Sequence, residues 1–254
     1  NAGLLHRVGP NRMYVDLARL LAGLGFTCLR FDMSGVGDSE VQDGGLLYIE
    51  RSVGDTLAAN DVLAERFGFD RFVLLGLCTG AFNAFRSALR DDRVVGCVLL
   101  DGYSYPTMRS RIKHYRSRVF QLSRWTGYVA RRLGLSRGES KAEGDDLIIF
   151  ENETVPRDRW ASELGSLIDR NTKLLLIYTK LGPLVFNYER QLHDAFPELD
   201  LDGSVTVRYF PDADHTFTLP ANRREAMAAI ERWMLATFAQ SQSVGGETTR
   251  GESR

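Results

Sequence analysis

A short apolar run, Phe72-Val-Leu-Leu-Gly76, feeds into Leu77-Cys78-Thr79-Gly80 and then into a stretch of helical spacing from Ala81 to Leu89. A run this short and this apolar reads as a buried strand. Strand and helix can meet in so few residues only around a sharp turn. The pattern Gly-x-Cys-x-Gly puts glycines where the two backbones crowd each other most. Cys78 then stands at a helix N-terminus, where backbone N–H groups and the helix dipole favour a thiolate. The plainer reading of such a residue is a small buried core cysteine. The rest of the chain has to decide between the two.

That turn sits inside an alternation of strands and helices. Met13, Leu17, Leu20, Leu21 and Leu24 recur at helical spacing and Gly25 ends the helix. Phe26 to Phe31 reads as a strand, and Asp32 to Ser39 as a glycine-rich loop. Ile49, Val53, Leu57, Ala64 and Phe67 mark a second helix. Val94–Leu100, Lys173–Tyr178 and Val205–Phe210 are further strands, and Met227, Ile230, Met234 and Phe238 line a last helix. Strands separated by helices predict an α/β fold, a parallel sheet covered on both faces. The chain opens at Asn1 in a turn-like run, and the first strands are expected upstream of it.

One long stretch, residues 104–171, breaks the alternation. Its segment 107–137 holds nine of the 32 Lys and Arg residues and none of the 33 Asp and Glu. Ile112, Tyr115, Val119, Leu122, Trp125, Val129 and Leu133 follow 3-4 spacing, which predicts a basic amphipathic helix, or two broken near Gly127. We therefore divide the chain into a core, 1–103 with 172–239, a helical cap, 104–171, and a disordered polar tail, 240–254.

A net charge of −1 argues against nucleic acid as the partner. Cys28, Cys78 and Cys97 are an odd set of three, which points away from a disulfide framework and toward a reducing, cytoplasmic compartment. No apolar run is long enough for a membrane span. No metal-ligand cluster or phosphate loop is present. Gly35-Val-Gly37 lacks the third glycine of a dinucleotide fingerprint, so no cofactor is expected.

The Gly76–Gly80 pentapeptide resembles the nucleophile elbow of the α/β-hydrolase family, with cysteine where most members carry serine. The likeness runs through Asp32-Met-Ser-Gly35-Val-Gly37-Asp38-Ser39, which is similar to a structural loop of that family. It covers residues 1 to about 101 and 173 to 239. The resemblance implies a triad in the chain order nucleophile, acid, histidine. His215, in Pro211-Asp-Ala-Asp-His215-Thr-Phe217 after the last strand, takes the base's place. His6, His114 and His193 are poorer candidates by position. Many members carry the acid after the penultimate strand, but there this chain has Gly182. Asp101, at the end of the strand after the elbow, is the favoured acid. Some lipases, and the thioesterase domains that end polyketide synthases, place theirs at that strand end. Asp212 and Asp214 are the alternatives, and a turn cap is the other reading of Asp101. The oxyanion hole would take the amides of Thr79 and Leu4.

A cysteine acyl-enzyme is a thioester, so loading Cys78 from another thioester is nearly isoenergetic and leaves the acyl group activated. The chain also resembles thioesterase-like and acyltransferase-like hydrolases of biosynthetic gene clusters. We expect hydrolysis or transfer of acyl thioesters through Cys78, His215 and Asp101. The basic cap residues Arg109, Arg111, Lys113, Arg116 and Arg118 are candidates to meet an acidic acyl carrier protein or coenzyme A phosphates. A solvated lid is the plainer account of the same charges, and a membrane-surface role is disfavoured. A carboxylic-ester or lactone hydrolase with the same triad, and a non-catalytic binding protein, are the competing readings.

Overall fold

The computed structural model describes residues 5–41, 47–119, 155–180 and 186–239, with backbone alone for 115–119. In chain order the described elements are α1 (Met13–Gly23), α2 (Tyr48–Phe67), β1 (Phe72–Leu77), α3 (Thr79–Ala88), β2 (Val94–Leu100) and α4 (Met108–Val119). They continue with α5 (Arg157–Asp169), β3 (Lys173–Thr179), α6 (Gln191–Ala195), β4 (Val205–Phe210) and α7 (Pro220–Phe238).

The four strands form one parallel sheet in the spatial order β1-β2-β3-β4. Every strand therefore ends on the same rim, with Leu77, Leu100, Thr179 and Phe210 leading into four neighbouring loops. Successive strand residues point to opposite faces. Cys97, Leu99, Leu174, Leu176 and Tyr178 pack with Phe85 of α3 and with Trp160, Leu164 and Leu167 of α5. Val98, Leu100, Leu175 and Ile177 pack with Met13, Leu17 and Leu21 of α1 and with Ile230, Met234 and Phe238 of α7. The continuous apolar runs of β2 and β3 follow from this double coverage.

The predicted strand Phe26–Phe31 does not form a ladder. Alternating apolar residues suit a pleated surface, but a strand also needs a hydrogen-bonded neighbour. This segment and Val73, Leu74 and Leu75 of β1 line one cavity of about 420 Å³ instead of pairing with each other.

Two parts of the stretch expected to be a cap are described. Helix α5 lies against the sheet, with Trp160, Leu164 and Leu167 fully buried. Helix α4 starts from a reciprocal pair: Thr107 N–H donates to Ser110 Oγ at 2.9 Å and Ser110 N–H donates to Thr107 Oγ1 at 3.0 Å. The helix turns Ser110 and His114 inward and leaves Met108 and Ile112 exposed, so the side carrying Ile112 faces away from the body. Trp125, the break near Gly127 and the 240–254 tail lie outside the described residues. Among the described residues no helix is long and apolar enough to cross a membrane.

Candidate active site

Strand β1 delivers Cys78 at φ 58° and ψ −119°, a conformation non-glycine residues rarely adopt. The turn is held from both sides. Cys78 N–H donates to Leu100 O at 2.9 Å, extending the β1–β2 ladder by one residue. The Cys78 carbonyl accepts from Ala81 N–H at 2.9 Å and Phe82 N–H at 3.2 Å, which starts α3. A Cβ on Gly76 would run into the Gly80 carbonyl, so the strand and helix approach this closely only over glycine. The thiol is neither fully buried nor fully exposed.

Asp101 follows β2 and also has positive φ, 47°. Its carboxylate is buried, with side-chain exposure of 2%. Thr179, the last residue of β3, donates its N–H to Asp101 Oδ1 at 2.7 Å and its hydroxyl to Oδ2 at 2.5 Å. His215 Nδ1 lies 2.8 Å from the same Oδ2. A buried carboxylate is stable when its lone pairs are matched in this way. With Nδ1 donating to Asp101, the other ring nitrogen is left to serve Cys78, whose thiol interacts electrostatically with His215. Burial of the imidazole opposes its charged form. The bond to Asp101 and then the interaction with Cys78 outweigh burial and push His215 up to about 9. The three side chains thus form one chain of contacts across the ends of β1, β2 and β4.

Neither alternative acid is hydrogen-bonded to His215. Asp214 accepts from Thr218 N–H at 2.8 Å and Thr218 Oγ1 at 2.6 Å, closing the turn after His215. Asp212 is exposed, and its carbonyl accepts from Asn222. The Asp32 loop is tied down as a structural unit: Asp32 accepts from Arg7 N–H at 2.5 Å and pairs with the Arg7 guanidinium, while Ser39 Oγ donates to Asp32 O at 2.8 Å. Thr79 is buried at the head of α3, beside the thiol. Leu4, the second expected oxyanion donor, and Gly182, at the alternative acid position, lie outside the described residues.

Sequence reasoning missed Thr179. No motif marks it, and only the register places it: Leu100 stands opposite Ile177, so the end of β3 falls beside Asp101. The wall next to Cys78 was also missed. Phe82, one turn into α3, meets Tyr103 edge to face at 4.4 Å, and both rings are half-buried. Of the basic residues expected on the cap, Arg109, Arg111 and Lys113 are exposed. Lys113 Nζ donates to Asn187 O at 2.6 Å, and the Arg109 guanidinium lies over the Tyr188 ring at 4.8 Å. Two of those charges are thereby tied to the body. The side chains of Arg116 and Arg118 are outside the described residues.

Solved structures with a similar fold include an α/β hydrolase from Agrobacterium tumefaciens, at 15% identity and a TM-score of 0.53, covering 94% of this chain and 81% of the other. An esterase from Pyrococcus furiosus is similar at 14% identity and a TM-score of 0.53, covering 89% and 75%. The esterase domain of a Rhodothermus marinus protein aligns at 14% identity and a TM-score of 0.51, covering 87% and 78%. At these identities the likeness is one of fold. No curated protein matches the sequence. The family described as serine aminopeptidase, S33, matches residues 4–155, more than half of the chain and the part that contains both the turn at Cys78 and Asp101. The chain therefore belongs to the serine aminopeptidase S33 family and is an enzyme of the α/β-hydrolase type.

Proposed function

We propose that this hydrolase cleaves or transfers activated acyl groups through an acyl-cysteine intermediate on Cys78. The observation that carries the reading is the continuous contact Cys78–His215–Asp101–Thr179 at one rim of the sheet. Cys78 Sγ, as a thiolate, attacks the acyl carbonyl, and the new S–C bond forms as the carbonyl π pair moves onto oxygen. The Thr79 amide at the head of α3 supports that oxyanion. When the tetrahedral species collapses, the His215 imidazolium gives its proton to the leaving thiolate or alkoxide. Neutral His215 then takes a proton from water, or from an acceptor alcohol or amine, as that group attacks the thioester. Asp101 keeps the imidazole in one tautomer and favours its cationic form. An imidazolium favoured up to about pH 9 is charged at neutral pH and therefore suits a thiolate–imidazolium pair.

Acyl thioesters, on coenzyme A or a carrier protein, are the first substrate class, because thioester exchange onto Cys78 is nearly isoenergetic. Carboxylic esters are the second, favoured by the esterases among its structural relatives. The exposed Arg111 and the outward Ile112 of α4 support a role for that helix in meeting substrate or carrier. The test is intact mass after brief mixing with panels of acyl-coenzyme A and aryl esters, with Cys78→Ala alongside. We expect acyl adducts on the parent and none on the variant, and the group that loads fastest names the class. A folded parent that turns over substrate without any adduct, at a rate that Cys78→Ala shares, overturns the reading.

A further inference from the structure

The loop that leads into α1 touches both halves of the candidate catalytic pair. Gly9, Asn11 and Arg12 all have positive φ, at 71°, 50° and 61°. A Cβ on Gly9 would lie 2.6 Å from the Tyr14 ring, so only glycine lets the loop fold back over that side chain. Tyr14 N–H donates to Val8 O at 3.2 Å and closes the fold. The result is that two nearby side chains, Asn11 from the loop and Tyr14 from the first turn of α1, leave in different directions.

Tyr14 is buried, and its hydroxyl oxygen accepts the Leu77 N–H at 3.0 Å. Leu77 is the residue before Cys78. Cys78 N–H points to β2, and amides alternate sides along a strand, so Leu77 N–H points to the outer edge of β1. The phenol serves there in place of a strand carbonyl. Asn11 is exposed, and its Nδ2 donates to Thr216 O at 3.0 Å. Thr216 is the residue after His215. The loop and the first turn of α1 thus grip the chain one residue before the thiol and one residue after the imidazole.

We propose that Tyr14 and Asn11 are positioning residues, which fix the separation of Cys78 and His215 by holding Leu77 and Thr216 from one junction, the loop into α1 and the first turn of that helix. This rests on reading Cys78 and His215 as nucleophile and base. Cys78 and His215 sit in loops that follow the two outer strands of the described sheet, so the ladder alone does not set their separation, and small errors in the approach of reacting groups are expensive in rate. Burial pushes the Tyr14 hydroxyl up, so the phenol stays neutral and its grip on Leu77 does not change across the working range. The positive φ at Asn11 and Arg12 is strain that the two anchored bonds hold in place.

The experiment uses Tyr14→Phe, which keeps the ring and removes the oxygen, and Asn11→Gly, which suits the positive φ and removes the donor. Alkylation of the Cys78 peptide by iodoacetamide is followed by mass spectrometry from pH 5 to 10, with His215→Ala beside it. Turnover is measured on an ester or thioester that the parent accepts. Each variant is expected to move the alkylation profile toward that of His215→Ala and to lower kcat by roughly 10- to 100-fold with KM nearly unchanged. The double variant is expected to lose less than the product of the two, because both serve one separation. Variant profiles that overlay the parent while His215→Ala shifts it overturn the proposal and leave the triad standing. A parent profile that His215→Ala does not move overturns the triad, and the proposal with it. If Tyr14→Phe does not fold, Asn11→Gly at an exposed position still decides the matter on the same readouts.

Discussion

Thr179 gives the Asp101 carboxylate two of the three hydrogen bonds described for it, so the acid depends on a neighbour that performs no chemistry. Thr179→Val keeps the shape and removes the hydroxyl. The carboxylate oxygen facing His215 then loses a donor in a buried setting, and unfolding in urea should show a loss of about 1–3 kcal/mol. Turnover should fall with it, because a looser Asp101 no longer holds the imidazole. Cys78→Ala should lower activity by about 10⁴-fold or more while leaving the fold intact, as judged by its urea midpoint. His215 brings a pH signature. Its folded value, about 9, lies above the ordinary 6.5, so folding favours the protonated ring. That stabilisation is fully present below about pH 6.5 and is lost as pH rises through about 9. The parent should therefore lose more stability than His215→Ala between pH 7 and 10, and its turnover should decline on the alkaline side near 9 as the proton donor disappears.

At the scale of elements, the β1–α3 turn is the tightest joint in the molecule. Gly76→Ala puts a methyl group into the Gly80 carbonyl and must push strand and helix apart. We expect a loss of about 3 kcal/mol or more in urea unfolding, and slower Cys78 alkylation even in the folded fraction. This joint was legible in the sequence because apolar run, glycine spacing and helix follow one another without a gap. Cys78, Asp101 and His215 were singled out by the order nucleophile, acid, histidine that the resemblance implies, and the parallel sheet, which ends every strand on one rim, is what allows loops after β1, β2 and β4 to approach. Thr179 was not, because a donor to a catalytic acid has no motif and is placed only by register. Phe26–Phe31 misled for the opposite reason: its pattern is that of a strand, but pattern says nothing of whether a partner lies beside it. The helical spacing from Ile112 onward was legible too, as far as α4 is described, whereas the Thr107–Ser110 pair that starts the helix was not, because such a cap lies before the periodic run.

Across the whole molecule, helix α5 shows how much of the 104–171 stretch serves stability. Trp160 packs against Phe85, Tyr105 and Phe196, with ring centroids 5.8, 5.4 and 4.8 Å away. Trp160→Ala should remove about 3–5 kcal/mol, measured by urea unfolding. The rim opposite the candidate active site, where the strands begin, is built differently. It holds the Arg93 pairs with Asp91 and Asp61, and Arg170 beside Asp92. Exposed Asp70 and Gly203 lie on it, just before β1 and β4. A sheet with all strands parallel thus has a working end and an anchoring end. Attached to a bead or an electrode through a handle at Asp70 or Gly203, the enzyme would present every copy of its mouth to the solution.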